Sequence, residues 1–235
     1  MSGELWTCRL GTVGYREAHD LQERLHAARS ADLVPDVLLL LEHPPVYTRT
    51  RRTAASDLPM GEDWYAAKGI EIVDTDRGGQ LTYHGPGQLV GYPIARIGHV
   101  LPFVRTLERA VVAALRDSGV RAHARADESA AFVGAWVEDR KIASIGIRVK
   151  RGVTKHGVAI NVTNDLSPFT WAVACGLPDV TMTSVEREQH AHRKDLMGCL
   201  RKDLGHQLAE EMGLRQRLVS KARLLAAIGD PSIAA

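Results

Sequence analysis

Cysteine is scarce in this chain: Cys8, Cys175 and Cys199 are the three in 235 residues. An odd, sparse set argues against a disulfide framework and for a reducing compartment. Their spacing fits no zinc motif, so no metal is expected. Charge of either sign is also not in excess. The net charge is +2 with histidine neutral, which implies no large nucleic-acid-binding face. Long apolar runs are missing: the longest, Val37 to Leu41, is far too short to span a bilayer. The first residues, Met-Ser-Gly-Glu-Leu-Trp, lack a basic segment followed by an apolar one, so no signal peptide is expected. The expected setting is the cytoplasm, with neither membrane nor nucleic acid as partner. Internal repeats and low-complexity linkers are absent as well.

What is present suits a globular protein. Hydrophobic residues make up 45% and charged residues 25%, an ordinary balance with enough apolar mass for a core. The length fits one large domain, taken as residues 1–235. A strand is expected over Leu5–Leu10. A helix follows from Tyr15 to Ala28, where apolar residues recur at helical spacing. Asp36-Val-Leu-Leu-Leu-Leu-Glu42 reads as a buried strand stopped by His43-Pro44-Pro45. A short helix over Glu62–Lys68, ended by Gly69, and a strand over Ile70–Asp74 come next. Gln88–Ile97 is a strand. Pro102 opens a helix whose stripe is Phe103, Leu107, Ala110, Val111, Ala114 and Leu115. Strands are expected near 120–124, 131–137, 141–149 and 156–162. A long helix then spans Ala191–Met212, and a small element follows Leu218. This order lacks a regular βαβ rhythm. The fold class is α+β, a mixed sheet with flanking helices.

The densest block of unusual residues runs from Arg77 to Gln88, with four glycines and a proline in twelve positions. Such a block implies tight backbone geometry, and Gly78-Gly79 leaves room for a ligand against the main chain. It lacks the Gly-Lys-Ser/Thr of a phosphate loop and the Gly-x-Gly-x-x-Gly of a dinucleotide fold. His84 reads as an orienting or structural group, since no partner for it is evident in the sequence. Arg49, Arg51 and Arg52 form the sharpest basic cluster, either a solvated loop or a docking patch for an acidic partner.

Two further residues carry chemistry. Cys175, in Trp171-Ala-Val-Ala-Cys175-Gly176-Leu-Pro178, stands at a chain turn, where a thiol can face a pocket. Cys8 and Cys199 sit inside regular elements and read as small hydrophobes. A nucleophilic cysteine works as the thiolate and needs a base or nearby positive charge. Lys141 opens Ile142-Ala-Ser-Ile-Gly-Ile147, a strand of small and β-branched residues. Turned inward it would be desolvated, which favours its neutral form and lets the amine take a proton. An exposed strand-end lysine is the plainer alternative.

Taken together, the blocks resemble the signature of the lipoyl (octanoyl) transferases. The match is carried by Arg77-Gly-Gly-Gln-Leu-Thr-Tyr-His84-Gly-Pro-Gly-Gln-Leu-Val-Gly-Tyr92, by Lys141-Ile-Ala-Ser144-Ile-Gly146 and by His156-Gly157-Val158-Ala159-Ile-Asn161. Cys175-Gly176 and Glu42-His-Pro-Pro-Val-Tyr-Thr48 complete it. The match is strongest over 36–187. It departs where the family commonly has a glycine soon after Thr48 and this chain has Arg49-Thr50-Arg51-Arg52.

The resemblance implies a fold like that of biotin and lipoate protein ligases, related to class II aminoacyl-tRNA synthetases. It implies transfer of octanoyl from octanoyl-acyl carrier protein to a lysine of lipoyl domains, those of 2-oxoacid dehydrogenases and of the glycine cleavage H protein. Cys175 would carry the acyl group as a thioester and Lys141 would move its proton. Arg77, Gly78, Gly79, Gln80, Leu81, Thr82, Tyr83 and His84 would form the acyl and pantetheine pocket with Ser144, Ile145, Gly146, Gly157, Val158 and Ala159. Oxyanion donors would be amides near Gly176 or in the 77–84 loop. Thioester exchange is nearly balanced and thioester-to-amide transfer is downhill, so no cofactor or ATP is needed. An ATP-dependent lipoate or biotin ligase shares the fold and is the nearest alternative.

Overall fold

The computed structural model describes residues 3–125, 127–173, 180–189 and 195–229. Among them a seven-stranded sheet and a three-stranded sheet are built. The large sheet uses β1 (Glu4–Thr12), β2 (Asp36–Glu42), β6 (Gln88–Ile94), β7 (Gly134–Val137), β8 (Arg140–Lys150), β9 (Val153–Asn161) and β10 (Arg215–Val219), in the order β10-β1-β2-β6-β9-β8-β7. β1 runs parallel to β2 and β10, and the remaining neighbours are antiparallel. The small sheet has β3 (Val46–Arg49) between β4 (Glu71–Asp74) and β5 (Thr82–His84). The architecture is the mixed-sheet α+β fold expected from the sequence.

The run Val37–Leu41 is apolar throughout because β2 lies at the centre of two cores. Leu38 and Leu40 enter the core beneath α3 (Val100–Asp117), the short α4 (Val185–Glu188) and α5 (Leu196–Glu211). Val37, Leu39 and Leu41 enter the opposite core, beneath α1 (Tyr15–Ser30) and α6 (Lys221–Ala227). The α3 stripe Phe103, Leu107, Ala110, Val111 and Ala114 is buried at the spacing read from the sequence. Tyr47, Tyr65, Leu81, Tyr83 and Phe169 form a third core around the small sheet and α2 (Glu62–Ala67).

Several expected elements change. The strand at 120–124 reduces to one bridge, His123 to Trp136. Residues 130–132 form a 3-10 turn, so β7 starts at Gly134. β6 stops at Ile94, and Arg96 keeps only a bridge to Val153. β3, β5 and β10 were not expected. Their three to five residues show too little alternation to be read alone. Among the described residues α5 starts at Leu196, capped by the Asp195 carboxylate on the Gly198 N–H. Residues 191–194 of the expected helix lie outside the described ones. No helix of the described residues is long and apolar enough to cross a membrane.

Candidate active site

The site forms where β8 outruns its neighbour. β7 pairs with β8 only as far as Ser144, so the next residues of β8 have a bare edge. The glycine-rich loop fills that edge: the Gly78 N–H donates to the Ile147 carbonyl at 3.0 Å. Across β8 and β9 the facing pairs are Ser144 with Ala159, Ile145 with Val158 and Gly146 with Gly157. A Cβ on Gly146 would fall 2.6 Å from the Gly78 carbonyl oxygen, and one on Gly157 would fall 2.2 Å from that of Gly91. Only glycine lets the loop and strands approach so closely.

Arg77 pins the loop from its other side. Its Nε donates to Thr48 Oγ1 at 2.9 Å and its Nη2 to the Thr48 carbonyl at 2.6 Å. The result is a pocket enclosed between the loop and the β8 and β9 strands. Its walls include Arg77, Gly78, Gly79, Gln80, Thr82, His84, Lys141, Ser144, Ile145, Gly146, Gly157, Val158 and Ala159, as the sequence reading grouped them. Leu81 and Tyr83 do not line it. Side chains alternate along β5, so Thr82 and His84 face the pocket while Leu81 and Tyr83 enter the aromatic core. The Tyr83 ring lies 5.6 Å from Phe169 and 5.4 Å from Tyr47. The Gly78 amide is spent on Ile147, which removes it as an oxyanion donor.

Tyr15, Tyr92, Ala131, Val133 and His156 also line the pocket and were not assigned to it from the sequence. Two of them, Tyr92 and His156, stand inside the motifs quoted above. Tyr15 carries no sequence signal, since α1 brings it in from a distant part of the chain.

The floor of the pocket is a buried polar network. His84 Nδ1 meets Gln88 Oε1 at 2.7 Å. The Gln88 amide nitrogen donates to the Tyr83 carbonyl and to Asn161 Oδ1, which orients Oε1 toward His84. His84 therefore carries its proton on Nδ1 and presents Nε2 as an acceptor. Burial, and then the neighbouring His43, hold its pKa well below the ordinary histidine value. His43 donates from Nδ1 to the Val13 carbonyl at 2.7 Å and accepts the Tyr92 hydroxyl at Nε2 at 2.8 Å. Burial pushes His43 down to about 4.

His156 sits at φ +58° in β9, a left-handed conformation that is rare for a non-glycine residue. Its Nε2 bonds Asp76 at 2.8 Å. Burial lowers its pKa, with the Asp76 bond opposing. The Asp76 carboxyl is held below the usual range by the His156 bond and by Lys155. His19, Asp76 and His156 bring donor atoms within 4.8 Å of one another. The Lys155 ammonium already bonds Asp76 at 3.1 Å and also meets Glu23, so a cation there would face like charge.

Lys141 is buried, at 2% exposure, and its side chain reaches the pocket wall. Its Nζ lies 5.2 Å from the centre of the Trp136 ring, within cation–π range. Its main chain is latched on both sides: Lys141 N–H donates to Thr181 and Thr183 N–H donates to the Lys141 carbonyl, each at 2.9 Å. Asn161 extends the latch by donating to the Thr183 carbonyl at 3.0 Å. The inward orientation is the one the sequence left open. Cys175 and Gly176 lie outside the described residues. Cys8 is buried in β1, with burial raising its thiol to about 11. Cys199 lies half-buried on α5.

The basic loop also resolves into parts. Arg49 is bound by Asp74 and Glu62. Arg51 and Arg52 are exposed and meet no carboxylate among the described residues.

The mixed-sheet fold is that of solved lipoate protein ligases. Over 98% of its length the chain superposes on a putative lipoate protein ligase from T. acidophilum, with a TM-score of 0.72, 18% identity and 94% of that chain covered. It superposes equally on a lipoate-protein ligase A bound with ATP, with a TM-score of 0.73, 15% identity and 94% of that chain covered. Residues 14–202 match the family described as lipoyl protein ligase A/B catalytic domain. An octanoyltransferase from Dictyoglomus thermophilum is 43% identical over 176 residues, covering 75% of this chain and 74% of its own. One from Corynebacterium glutamicum is 44% identical over 187 residues, covering 77% and 71%. The chain belongs to the octanoyltransferase family, acyltransferases of the lipoyl protein ligase A/B group.

Proposed function

We propose that the protein moves an octanoyl group from octanoyl-acyl carrier protein to a lysine of lipoyl domains, with Cys175 as the acyl carrier and Lys141 as its proton partner. The observation that carries this reading is Lys141 itself. It is a buried lysine on the pocket wall, latched through Thr181 and Thr183 to the stretch of chain that follows the Cys175 segment. The reaction is assigned to the cytoplasm. Lipoyl domains of 2-oxoacid dehydrogenases and of the glycine cleavage H protein are the acceptors. One of the solved relatives is described as a bipartite lipoate protein ligase with its E2 lipoyl domain, which supports a lipoyl domain as acceptor.

In this reading Lys141 takes the Cys175 proton, and the thiolate attacks the thioester carbonyl. The pantetheine thiolate leaves and collects the proton from the Lys141 ammonium. Cys175 then holds octanoyl as a thioester. The acceptor amine attacks it, loses its proton to Lys141, and that proton returns to Cys175 as the amide forms. Ile145, Val158, Val133 and Ala159 line the path with apolar surface. The two partners use one pocket in turn, which makes the kinetics ping-pong.

The test is the intact mass of the protein after mixing with octanoyl-acyl carrier protein without ATP, beside Cys175→Ser and Lys141→Ala. A hydroxylamine-sensitive octanoyl adduct on the wild type, absent from Cys175→Ser, is expected. Lys141→Ala should form it about 10² to 10⁴ times more slowly. Octanoyl-adenylate made from free acid and ATP, with no adduct, would make the protein a ligase instead.

A further inference from the structure

A second depression opens on the far side of the glycine-rich loop. It shares Arg77, Gly78 and Gly79 with the acyl pocket, so the two adjoin across these residues. Its other walls are Thr50, Arg51, Arg52, Thr75, Asp76, Ile147 and Arg148. Arg51 and Arg52 are exposed without a carboxylate partner among the described residues, and the Arg148 side chain is 57% exposed. The one acid in the wall is Asp76. His156 and Lys155 hold its carboxylate at 2.8 and 3.1 Å, and Arg148 stands 3.9 Å off. Asp76 is thus engaged from the interior, and with four arginines, Arg51, Arg52, Arg77 and Arg148, against this one acid the wall keeps an excess of positive charge. Arg49, next to the groove in sequence but not in its wall, contributes none of it because Asp74 and Glu62 bind it.

We propose that Arg51, Arg52 and Arg148 form an anion site for the phosphodiester of the donor's phosphopantetheine arm. The inference rests on the thioester-donor reading above and extends it to the part of the donor that does not react. Guanidinium groups suit phosphate oxygens by their planar, multi-donor geometry. The distance fits as well. Seven residues of β8 separate Lys141 in the acyl pocket from Arg148 in the groove, about 23 Å at ~3.3 Å per residue. The arm has about thirteen bonds from sulfur to phosphorus, reaching roughly 15 Å when extended at about 1.2 Å per bond. The acyl pocket itself extends along β8 to Gly146, two residues from Arg148, which shortens the span the arm has to cross. The departure of this chain after Thr48 then has a use: Arg49 fastens the loop to β4 and α2, and Arg51 and Arg52 are left to face the ligand.

Three donors separate the possibilities: octanoyl-pantetheine, octanoyl-4′-phosphopantetheine and octanoyl-acyl carrier protein, each with a lipoyl domain as acceptor. The readout is the ratio of kcat/KM for the phosphorylated small donor to that for the unphosphorylated one. The wild type should prefer phosphate by at least about tenfold, the scale of one partly screened charged hydrogen bond. Arg148→Gln should cut the ratio severalfold. Arg51→Gln with Arg52→Gln, which leaves β8 untouched, should do the same, and the triple variant should bring it near one. A wild-type ratio near one, or a ratio that survives the triple substitution, overturns the proposal. So does a loss confined to the carrier-protein donor, since the arginines would then be reading acidic residues of the carrier. If octanoyl-pantetheine is used normally in either case, the acyltransfer reading stands while the anion site falls. If none of the three donors is used by the wild type, it is the acyltransfer reading that fails.

Discussion

The two faces of the large sheet are built on different terms. The face under α3 and α5 is filled by leucine, valine, isoleucine, phenylalanine and alanine. Its buried charge is Glu108, which is tied to Arg105 and to the Gly134 N–H. The face toward α1 buries His43, His84, Gln88, Tyr92 and His156 beside its aliphatic residues. Both faces are buried beneath helices. Only the second spends hydrogen bonds to hold polar groups neutral and aimed in one direction, and those groups form the floor of the pocket. A dry face supplies stability, and a buried polar face gives the site its geometry.

The comparison can be broken most severely at Gln88. Gln88→Leu leaves the His84 Nδ1 proton and the Tyr83 carbonyl without their partner. At about 1–3 kcal/mol for each unsatisfied group, the loss is about 2–6 kcal/mol. Acyl transfer by the folded fraction should fall at least about tenfold as the His84 ring loses its orientation. Urea unfolding and initial rates on the same preparation measure both. Unchanged transfer would mean that the polar floor does no positioning.

Leu107→Ala probes the other face. Leu107 is 2% exposed in the α3 core, and its truncation should cost about 2–5 kcal/mol. The rate per folded molecule should stay within twofold of wild type. A large fall in that rate would show that the dry face also shapes the pocket.

Acid sharpens the contrast with a smaller effect. His43, His84 and His156 all have folded pKa values below the ordinary one. The unfolded chain therefore binds protons that the folded chain refuses. Their contribution is complete above about pH 6.5 and is lost as pH falls toward the folded values. For His43, at about 4, the loss reaches about 3 kcal/mol. The urea midpoint should decline from pH 6.5 downward in wild type, and Leu107→Ala should show the same slope displaced to lower stability. A midpoint that is flat between pH 7 and 5 would remove the histidines from the account.

Much of this was legible beforehand because periodic burial writes itself into the chain. The α3 stripe and the unbroken β2 run give their own answers, and the glycine block announced close backbone approach. The short strands were not legible. β5 is three residues long, and its alternation, which turns Leu81 and Tyr83 away from the pocket, depends on pairing with β3. Residues 120–124 have strand composition but no neighbour to complete a ladder. The inward turn of Lys141 depends on Thr181 and Thr183, some forty residues away. The partner of His84 was only four residues off, yet helix, strand and turn would each have placed Gln88 differently.

The parallel pairing of β1 with β10 joins Glu4 to Arg215. During synthesis at about 5–20 residues per second, the outer edge of β1 waits roughly 10–40 seconds for the strand that covers it. Through that interval it is an open row of peptide groups able to recruit another chain. Assembly of the sheet therefore finishes at its first strand, and a chain that stops short of β10 would leave that edge uncovered for as long as it exists.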